Sequence, residues 1–201
     1  MNSGLAMVAI TWLAAASIVM DPRSPEQVIE QTANELANEV ESNRAMLAAD
    51  QQALYTLVDQ VLLPVFDTAY AGHLVLGRHG RAATPEQKSQ FVASFYHFLL
   101  RSYAENVLKF RKDHVQVLPS PADRPADERR VAVRTRMLLD DGSTISVDYS
   151  LRLNDVGWRI FDVRINGISY VQTYRNQFDA EISARGLDAV IARLQTEAAT
   201  P

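Results

Sequence analysis

The 201-residue sequence contains no cysteine and only four histidines. Without cysteine, the chain has neither a disulfide framework nor a metal site built on thiolates. The histidines show no H-E-x-x-H motif and no His-x-His spacing, so we expect no dedicated metal site. The sequence also lacks a glycine-rich phosphate loop and therefore offers no recognisable nucleotide-binding motif.

The net charge of the chain and its share of charged residues are both modest. The formal net charge is −4, and charged residues make up 22% of the chain. This balance argues against general binding to nucleic acid or to an anionic membrane as the main task. Hydrophobic residues make up 47%, and a chain of this length is long enough to bury a sizeable core as one domain.

Charged side chains are missing altogether from Met1 to Met20, and Leu5 to Met20 is almost wholly apolar or small. Such a run is typical of a signal peptide, and Ala14-Ala15-Ala16 has the composition of a cleavage site. The run is short for a transmembrane helix, which needs about 20 apolar residues. We therefore predict a signal peptide over residues 1–20 and one domain over residues 24–198. An uncleaved membrane anchor is the alternative.

Two similar tetrapeptides mark predicted helix starts. Ser24 to Gln27 and Thr84 to Gln87 each combine a capping hydroxyl, a proline at the first helical position and a glutamine that can reach back. Asp50 is the expected cap of another helix, which Pro64 should break because proline removes a backbone donor. The helix that begins after Thr84 is predicted to continue to about Phe110.

Beyond residue 113 the hydrophobic period changes from helical to alternating, which predicts strands. The strands are expected at His114 to Leu118, Arg130 to Leu139, Ile145 to Leu153 and Trp158 to Ile165. Asp141-Gly142 is a strong hairpin signal. Ser169 is the predicted cap of a C-terminal helix, and Gly186 separates it from a last one. This order predicts an α+β fold, in which N-terminal and C-terminal helices pack on one face of a twisted antiparallel β-meander.

The strand from Trp158 to Ile165 has apolar residues at both parities. Trp158 and Ile160 share one face of a regular strand, whereas Phe161, Val163 and Ile165 share the other. A strict period of two would put one of these sets in water. The sequence therefore predicts a β-bulge near Phe161–Asp162, or a helix that covers the second face.

Several short motifs occur in a fixed order along the chain. They are Leu63-Pro64-x-Phe66-Asp67, Leu76-Gly77-Arg78, Gln87-x-x-x-Phe91-x-x-x-Phe95, Leu99-Leu100-Arg101-x-Tyr103-Ala104, Trp158-Arg159-Ile160-Phe161-Asp162-Val163, Gly167-Ile168-Ser169 and Tyr174-Arg175-x-x-Phe178. In this order and at these spacings they resemble the MlaC family of periplasmic phospholipid-binding proteins, also called toluene-tolerance auxiliary transport proteins. The resemblance extends over about residues 24–196.

This resemblance implies a non-enzymatic function in the periplasm. Members of the family are soluble shuttles between an outer-membrane lipoprotein–porin complex and an inner-membrane ABC transporter with its membrane-anchored substrate-binding subunit. By resemblance, phospholipid is the cargo, no cofactor is needed, and the task is to maintain the lipid asymmetry of the outer membrane. Nucleic acid is not expected as a partner.

The resemblance also implies an apolar lipid cavity enclosed by the helices and the sheet. On the helix after Thr84, apolar side chains form one broad stripe, which is predicted to face the inward side chains of the strands. The candidate wall residues are Phe91, Phe95, Phe98, Leu99, Tyr103, Val133, Met137, Val147, Tyr149 and Leu151. Periodicity alone leaves open whether these side chains line a cavity or fill an ordinary core.

Four arginines fall on outward positions of the strands: Arg134, Arg136, Arg152 and Arg159. They are candidates for partner docking or for contact with a lipid head group, because the planar guanidinium pairs well with phosphate oxygens. A solvated face balanced by Asp148 is the simpler interpretation.

Two other classes of function fit the same sequence. One is a secreted small α+β enzyme that uses the same pocket for an apolar substrate, with Asp162 as an acid beside Tyr149. The other is a membrane-tethered interaction module, which requires that the N-terminal segment is not cleaved.

Overall fold

The computed structural model describes residues 20–120, 125, 127–139 and 141–199. The predicted signal peptide at residues 1–20 lies almost wholly outside these residues. The helices are α1 (Pro25–Ala49), α2 (Gln51–Val61), α3 (Thr68–Leu76), α4 (Pro85–Tyr103), α5 (Tyr170–Arg185) and α6 (Leu187–Ala199). The strands are β1 (Val115–Val117), β2 (Arg130–Leu138), β3 (Thr144–Asn154), β4 (Gly157–Ile165) and β5 (Ile168–Ser169).

Both predicted capping boxes are present. At α1, Gln27 N donates to Ser24 Oγ (3.2 Å), and Ser24 N donates to Gln27 Oε1 (2.9 Å). At α4, Thr84 and Gln87 make the same pair of bonds at 3.1 and 3.0 Å. Asp50 caps α2 as predicted, because its carboxylate accepts from the third helical backbone amide. These helix starts are confirmed.

The helix that begins at Pro85 is shorter than predicted. It ends as an α-helix at Tyr103 and continues as a 3-10 segment, Ala104–Lys109. The carbonyl oxygens at the end of this segment are satisfied from a distant element, since the Arg44 guanidinium of α1 donates to Leu108 O and to Phe110 O (3.2 Å). The change of helix type is thus accompanied by a tertiary contact, which local periodicity does not report.

The sheet is a meander in the order β1-β2-β3-β4-β5, with antiparallel pairing throughout. The predicted hairpin between β2 and β3 is present, and Gly142 provides its positive φ of 80°. Leu139 N donates to Ser143 O (2.8 Å) and Gly142 N to Leu139 O (3.0 Å) across this turn. Helices α1 to α4 precede the meander and α5 and α6 follow it, so the predicted α+β class is confirmed.

Strand β4 contains the predicted bulge. Ser150 on β3 pairs with Asp162, but Leu151 pairs with Ile160, so Phe161 is an extra residue in the ladder. Because of this extra residue, both apolar sets of β4 face the same side of the sheet. They lie opposite the inward residues of β3, in the pairs Val147↔Ile165, Tyr149↔Val163, Leu151↔Ile160 and Leu153↔Trp158.

Only part of the inner sheet face is covered by close packing. Val28 and Ile29 of α1 form a core cluster with Val133, Leu151 and Ile160.

The outer face of β2 is exposed at alternate positions, as the sequence predicts. In the described part of the chain, we find no helix with the length and apolar character needed to cross a membrane.

Candidate functional site: an apolar cavity beside the sheet

A cavity of about 810 Å³ lies between the helices and the uncovered half of the inner sheet face. Its wall is formed by the end of α2, by α3, α4 and α5, by the 3-10 segment 104–109, and by the β2–β3 hairpin, β3 and β4. Most of the wall is apolar. Small side chains keep part of the space open, since Thr68 and Ala71 of α3 and Ala104 after α4 face it.

Six of the ten predicted wall residues line this cavity, and they come from both the helix and the sheet. The six are Phe95, Leu99, Tyr103, Met137, Val147 and Tyr149. The stripe of α4 and the inward residues near the hairpin are thus brought together around one space. Their role in lipid binding remains a proposal.

The structure does not place the other four predicted residues on the wall. Val133 and Leu151 are fully buried beneath Val28 and Ile29 of α1, which fill that half of the inner sheet face. Phe91 is also fully buried. Its ring packs edge-on against Phe178 of α5, with centroids 5.4 Å apart.

Phe98, the fourth of these residues, is half-buried on α4. Its ring stacks on Phe95 and meets the edge of Tyr174, with centroid distances of 6.5 and 5.8 Å. This side chain therefore packs between α4 and α5 behind the wall. Some apolar residues of α4 line the cavity and others pack in the core, because α5 and α6 cover one side of this helix.

Several wall residues were not predicted from the sequence. Phe161 reaches the cavity because it is the bulged residue of β4. Phe66 follows the break at Pro64, and Tyr170 and Tyr174 project from α5. The apolar residues at both parities of β4 were a usable signal, because they predicted a bulge near Phe161. No local pattern indicates that α5 contributes to the wall.

Five wall residues are exposed; Leu63 follows α2, and the other four mark an opening of the cavity. Asn106 and Lys109 lie on the 3-10 segment, and Leu138 and Asp141 lie on the β2–β3 hairpin. The segment runs into β1, and a backbone bond from Leu138 N to His114 O (2.9 Å) holds the two at the same end of the sheet. We refer to this opening as the mouth.

Three phenols of the wall are kept neutral by their surroundings. Burial raises the pKa of Tyr149 to about 12. Burial also raises the pKa of Tyr96, with a further contribution from the bond of its hydroxyl to Asp59. For Tyr174 the causes of the raised pKa are burial and then the hydrogen bond with Tyr103. These side chains therefore add no charge to the cavity near neutral pH.

Comparison with known proteins identifies the family. The model of the MlaC protein family matches residues 30–196, which is most of the chain. This chain belongs to the MlaC family. The family resemblance seen in the ordered motifs is thereby confirmed.

Individual MlaC-family relatives match over similar lengths. A toluene tolerance protein of Pseudomonas putida is 26% identical over 167 residues, which cover 83% of this chain and 76% of the relative. The intermembrane phospholipid transport system binding protein MlaC of Haemophilus influenzae is 23% identical over 181 residues, covering 89% and 84%. A phospholipid-binding protein from Ralstonia solanacearum, solved in complex with a phospholipid, is 26% identical. Its TM-score is 0.78, with 88% of this chain and 98% of that chain covered.

Two of the four candidate arginines are held within this MlaC-family fold. Arg152 Nε lies 2.6 Å from Asp67 Oδ2, and its guanidinium is 4.2 Å from the centre of the Tyr70 ring. Arg159 donates to the carbonyl oxygen of Val156 (3.1 Å). Both side chains therefore fasten neighbouring segments to the sheet. Of the four candidates, only Arg134 and Arg136 are exposed on the outer face.

Asp162 is buried on β4, at the position considered for a catalytic acid beside Tyr149. Its Oδ2 accepts from Ser169 Oγ (2.7 Å), and its Oδ1 accepts from the backbone amide of Val171 (3.0 Å). Arg164 Nε is 3.6 Å from Oδ2. Both carboxylate oxygens are thus engaged where α5 begins, a geometry that favours a structural role for this residue.

Proposed function

We propose that this protein is a non-enzymatic carrier that holds phospholipid acyl chains in the cavity while they cross the periplasm. The observation that carries the proposal is an apolar cavity of about 810 Å³ that is open to solvent at the mouth. Membership of the MlaC family supports it. Further support comes from the relative of Ralstonia solanacearum, which shares the fold and is described with a phospholipid bound.

The cavity volume is large enough for most of two acyl chains. If a methylene group takes about 30 Å³, the share of one water molecule in the liquid, this cavity has room for on the order of 25 methylenes. A diacyl phospholipid has roughly 30, and exposing them to water costs about 25 kcal/mol at about 0.8 kcal/mol each. An apolar cavity offsets most of that cost, which is the physical requirement for a carrier.

Purified native protein is expected to contain about one phospholipid per chain. The measurement is organic extraction of the folded protein followed by mass spectrometry, with phosphate analysis for stoichiometry. Extraction of an equal amount of an unrelated periplasmic protein from the same preparation is the control. If the cavity contained no lipid, or only a small apolar metabolite, the carrier function would be wrong.

We further propose that the carrier shuttles between an outer-membrane lipoprotein–porin complex and an inner-membrane ABC transporter with its membrane-anchored subunit, and thereby maintains outer-membrane lipid asymmetry. An apolar cavity is nearly as favourable for acyl chains as the bilayer, so transfer into the protein is close to balanced. The direction of transport must then come from the partners, for example from ATP hydrolysis by the transporter.

Arg134 and Arg136 are the proposed docking residues for an acidic partner surface. Both are exposed on neighbouring outward positions of β2. Arg134 pairs across the sheet with Asp148, whereas Arg136 lies between Gln116 and Ser146, which are uncharged. Exposed charges act mainly on the rate of association, and salt screens them over about 8 Å at physiological ionic strength.

Changing Arg134 and Arg136 together to Glu is expected to weaken partner binding several-fold at low salt and much less at high salt, with lipid content unchanged. Binding would be measured by surface plasmon resonance at two ionic strengths. A double change of Arg81 and Arg185 to Glu is the matched control, because both are exposed on the helical side of the fold. Equal loss in both double variants would show only a net-charge effect, and lost lipid would point to a head-group contact instead.

A further inference from the structure

Five tyrosines line the cavity, and three of them lie together where α4 ends and α5 begins. Tyr103 ends α4, Tyr170 begins α5, and Tyr174 lies one turn further along α5. All three line the cavity, and we refer to them as the tyrosine trio. The hydroxyls of Tyr103 and Tyr174 are 2.7 Å apart. The ring of Tyr170 lies edge-on to that of Tyr103, with centroids 5.5 Å apart at 71°.

The tyrosine trio has more hydrogen-bond donors than it can use internally. Each phenol carries one proton, and burial raises the pKa of Tyr170 and of Tyr174, so these protons are retained. The bond between Tyr103 and Tyr174 uses one of the three protons. Tyr103 also interacts with Tyr170, but among the described residues no hydrogen bond joins Tyr170 to Tyr174. Two bonds use two of the three protons, so at least one O–H has no acceptor within the trio.

The position of the tyrosine trio is at a boundary between apolar and polar surroundings. Further into the fold, Phe95 and Leu99 of the same helix form apolar wall. Towards solvent, the next segment carries the exposed Asn106 and Lys109 of the mouth. Tyrosine suits such a boundary because its ring is apolar and its hydroxyl is polar. In a phospholipid, the corresponding boundary is formed by the ester groups that join the acyl chains to glycerol.

We propose that the tyrosine trio donates a hydrogen bond to an ester carbonyl oxygen of the bound lipid, and so sets how deeply the glycerol backbone enters the cavity. This inference rests on the proposed carrier function and adds a chemical preference to it. An ether-linked lipid with the same chains and head group has no carbonyl oxygen at this level. The carrier should therefore take up ester-linked phospholipid in preference to ether-linked phospholipid.

The test is competitive uptake from vesicles. Wild-type protein is incubated with vesicles that contain equal amounts of a diester and a diether phosphatidylethanolamine with identical chains, then re-isolated and extracted for mass spectrometry. One neutral hydrogen bond corresponds to a preference of about 2- to 10-fold for the diester lipid. Replacing all three residues of the tyrosine trio with Phe should bring this ratio close to one, because the rings remain and only the hydroxyls are lost.

Tyr55→Phe is the matched control, since Tyr55 is buried on α2 and does not line the cavity. It should keep the wild-type ratio, and circular dichroism should show that all variants are folded. The inference is wrong if wild type takes up both lipids equally, if the triple variant keeps the preference, or if it loses both lipids to the same extent. Failure of the carrier function itself would look different, because wild type would then take up neither lipid.

Discussion

Replacing Leu99 with Asp is expected to yield a folded protein with at least about tenfold less co-purified phospholipid. Leu99 is half-buried, and it lines the cavity. In the empty protein the new carboxylate can be hydrated by water that enters the cavity, so the fold should tolerate it. With acyl chains in place, the same carboxylate would be buried in an apolar environment without a partner, which is strongly unfavourable.

The measurement is phospholipid per chain by mass spectrometry and phosphate analysis, beside circular dichroism of the same sample. Ala93→Asp is the matched control, because Ala93 is exposed on the same helix. This control should keep its lipid. Undiminished lipid in a folded Leu99→Asp protein would remove this part of α4 from the binding wall.

Replacing Phe95 with Asp is expected to unfold the domain, although Phe95 lines the same cavity. This residue is only 5% exposed. Its ring contacts those of Phe91, Tyr174 and Phe178, at centroid distances of 5.8, 5.2 and 5.6 Å. Removing a buried phenylalanine ring alone costs about 3–5 kcal/mol, and the buried carboxylate adds to that, against a total stability of about 5–15 kcal/mol.

Thermal and urea unfolding followed by circular dichroism would measure this loss. Phe95→Leu is the matched control, because it retains an apolar side chain and should unfold at a moderately lower temperature while keeping lipid. The contrast between Phe95→Asp and Leu99→Asp separates packing from the cavity wall within one helix. A stable Phe95→Asp protein would show that the aromatic cluster of α4 and α5 contributes little to stability.

The local structure of this chain could be predicted from its sequence because short-range chemistry decides it. A serine or threonine followed by Pro-Glu-Gln satisfies the free amides of a helix start, and both such sites form capping boxes. Strand β4 has apolar residues at both parities, so it needed either an extra residue in the ladder or a helix over its second face. The extra residue is present, at Phe161. Family membership followed from motifs whose order is itself a property of the sequence.

The division of the apolar residues into core and cavity could not be predicted in this way. Val133 and Val147 have the same pattern in the sequence, yet Val133 packs beneath α1 whereas Val147 lines the cavity. Which half of the sheet is covered depends on where α1 crosses it, and that is a long-range contact. The same holds for Arg152, which looks outward by parity but pairs with Asp67, 85 residues away in sequence.

Periodicity thus determined which face of each helix and strand is apolar, because the backbone geometry of each element sets the direction of its side chains. The packing of distant elements alone decided where the apolar faces meet and where they stay apart. The 3-10 segment after Tyr103 and the small side chains of α3 leave a space that no neighbouring side chain fills. A cavity is a property of the gap between elements, and therefore only the tertiary structure could reveal it.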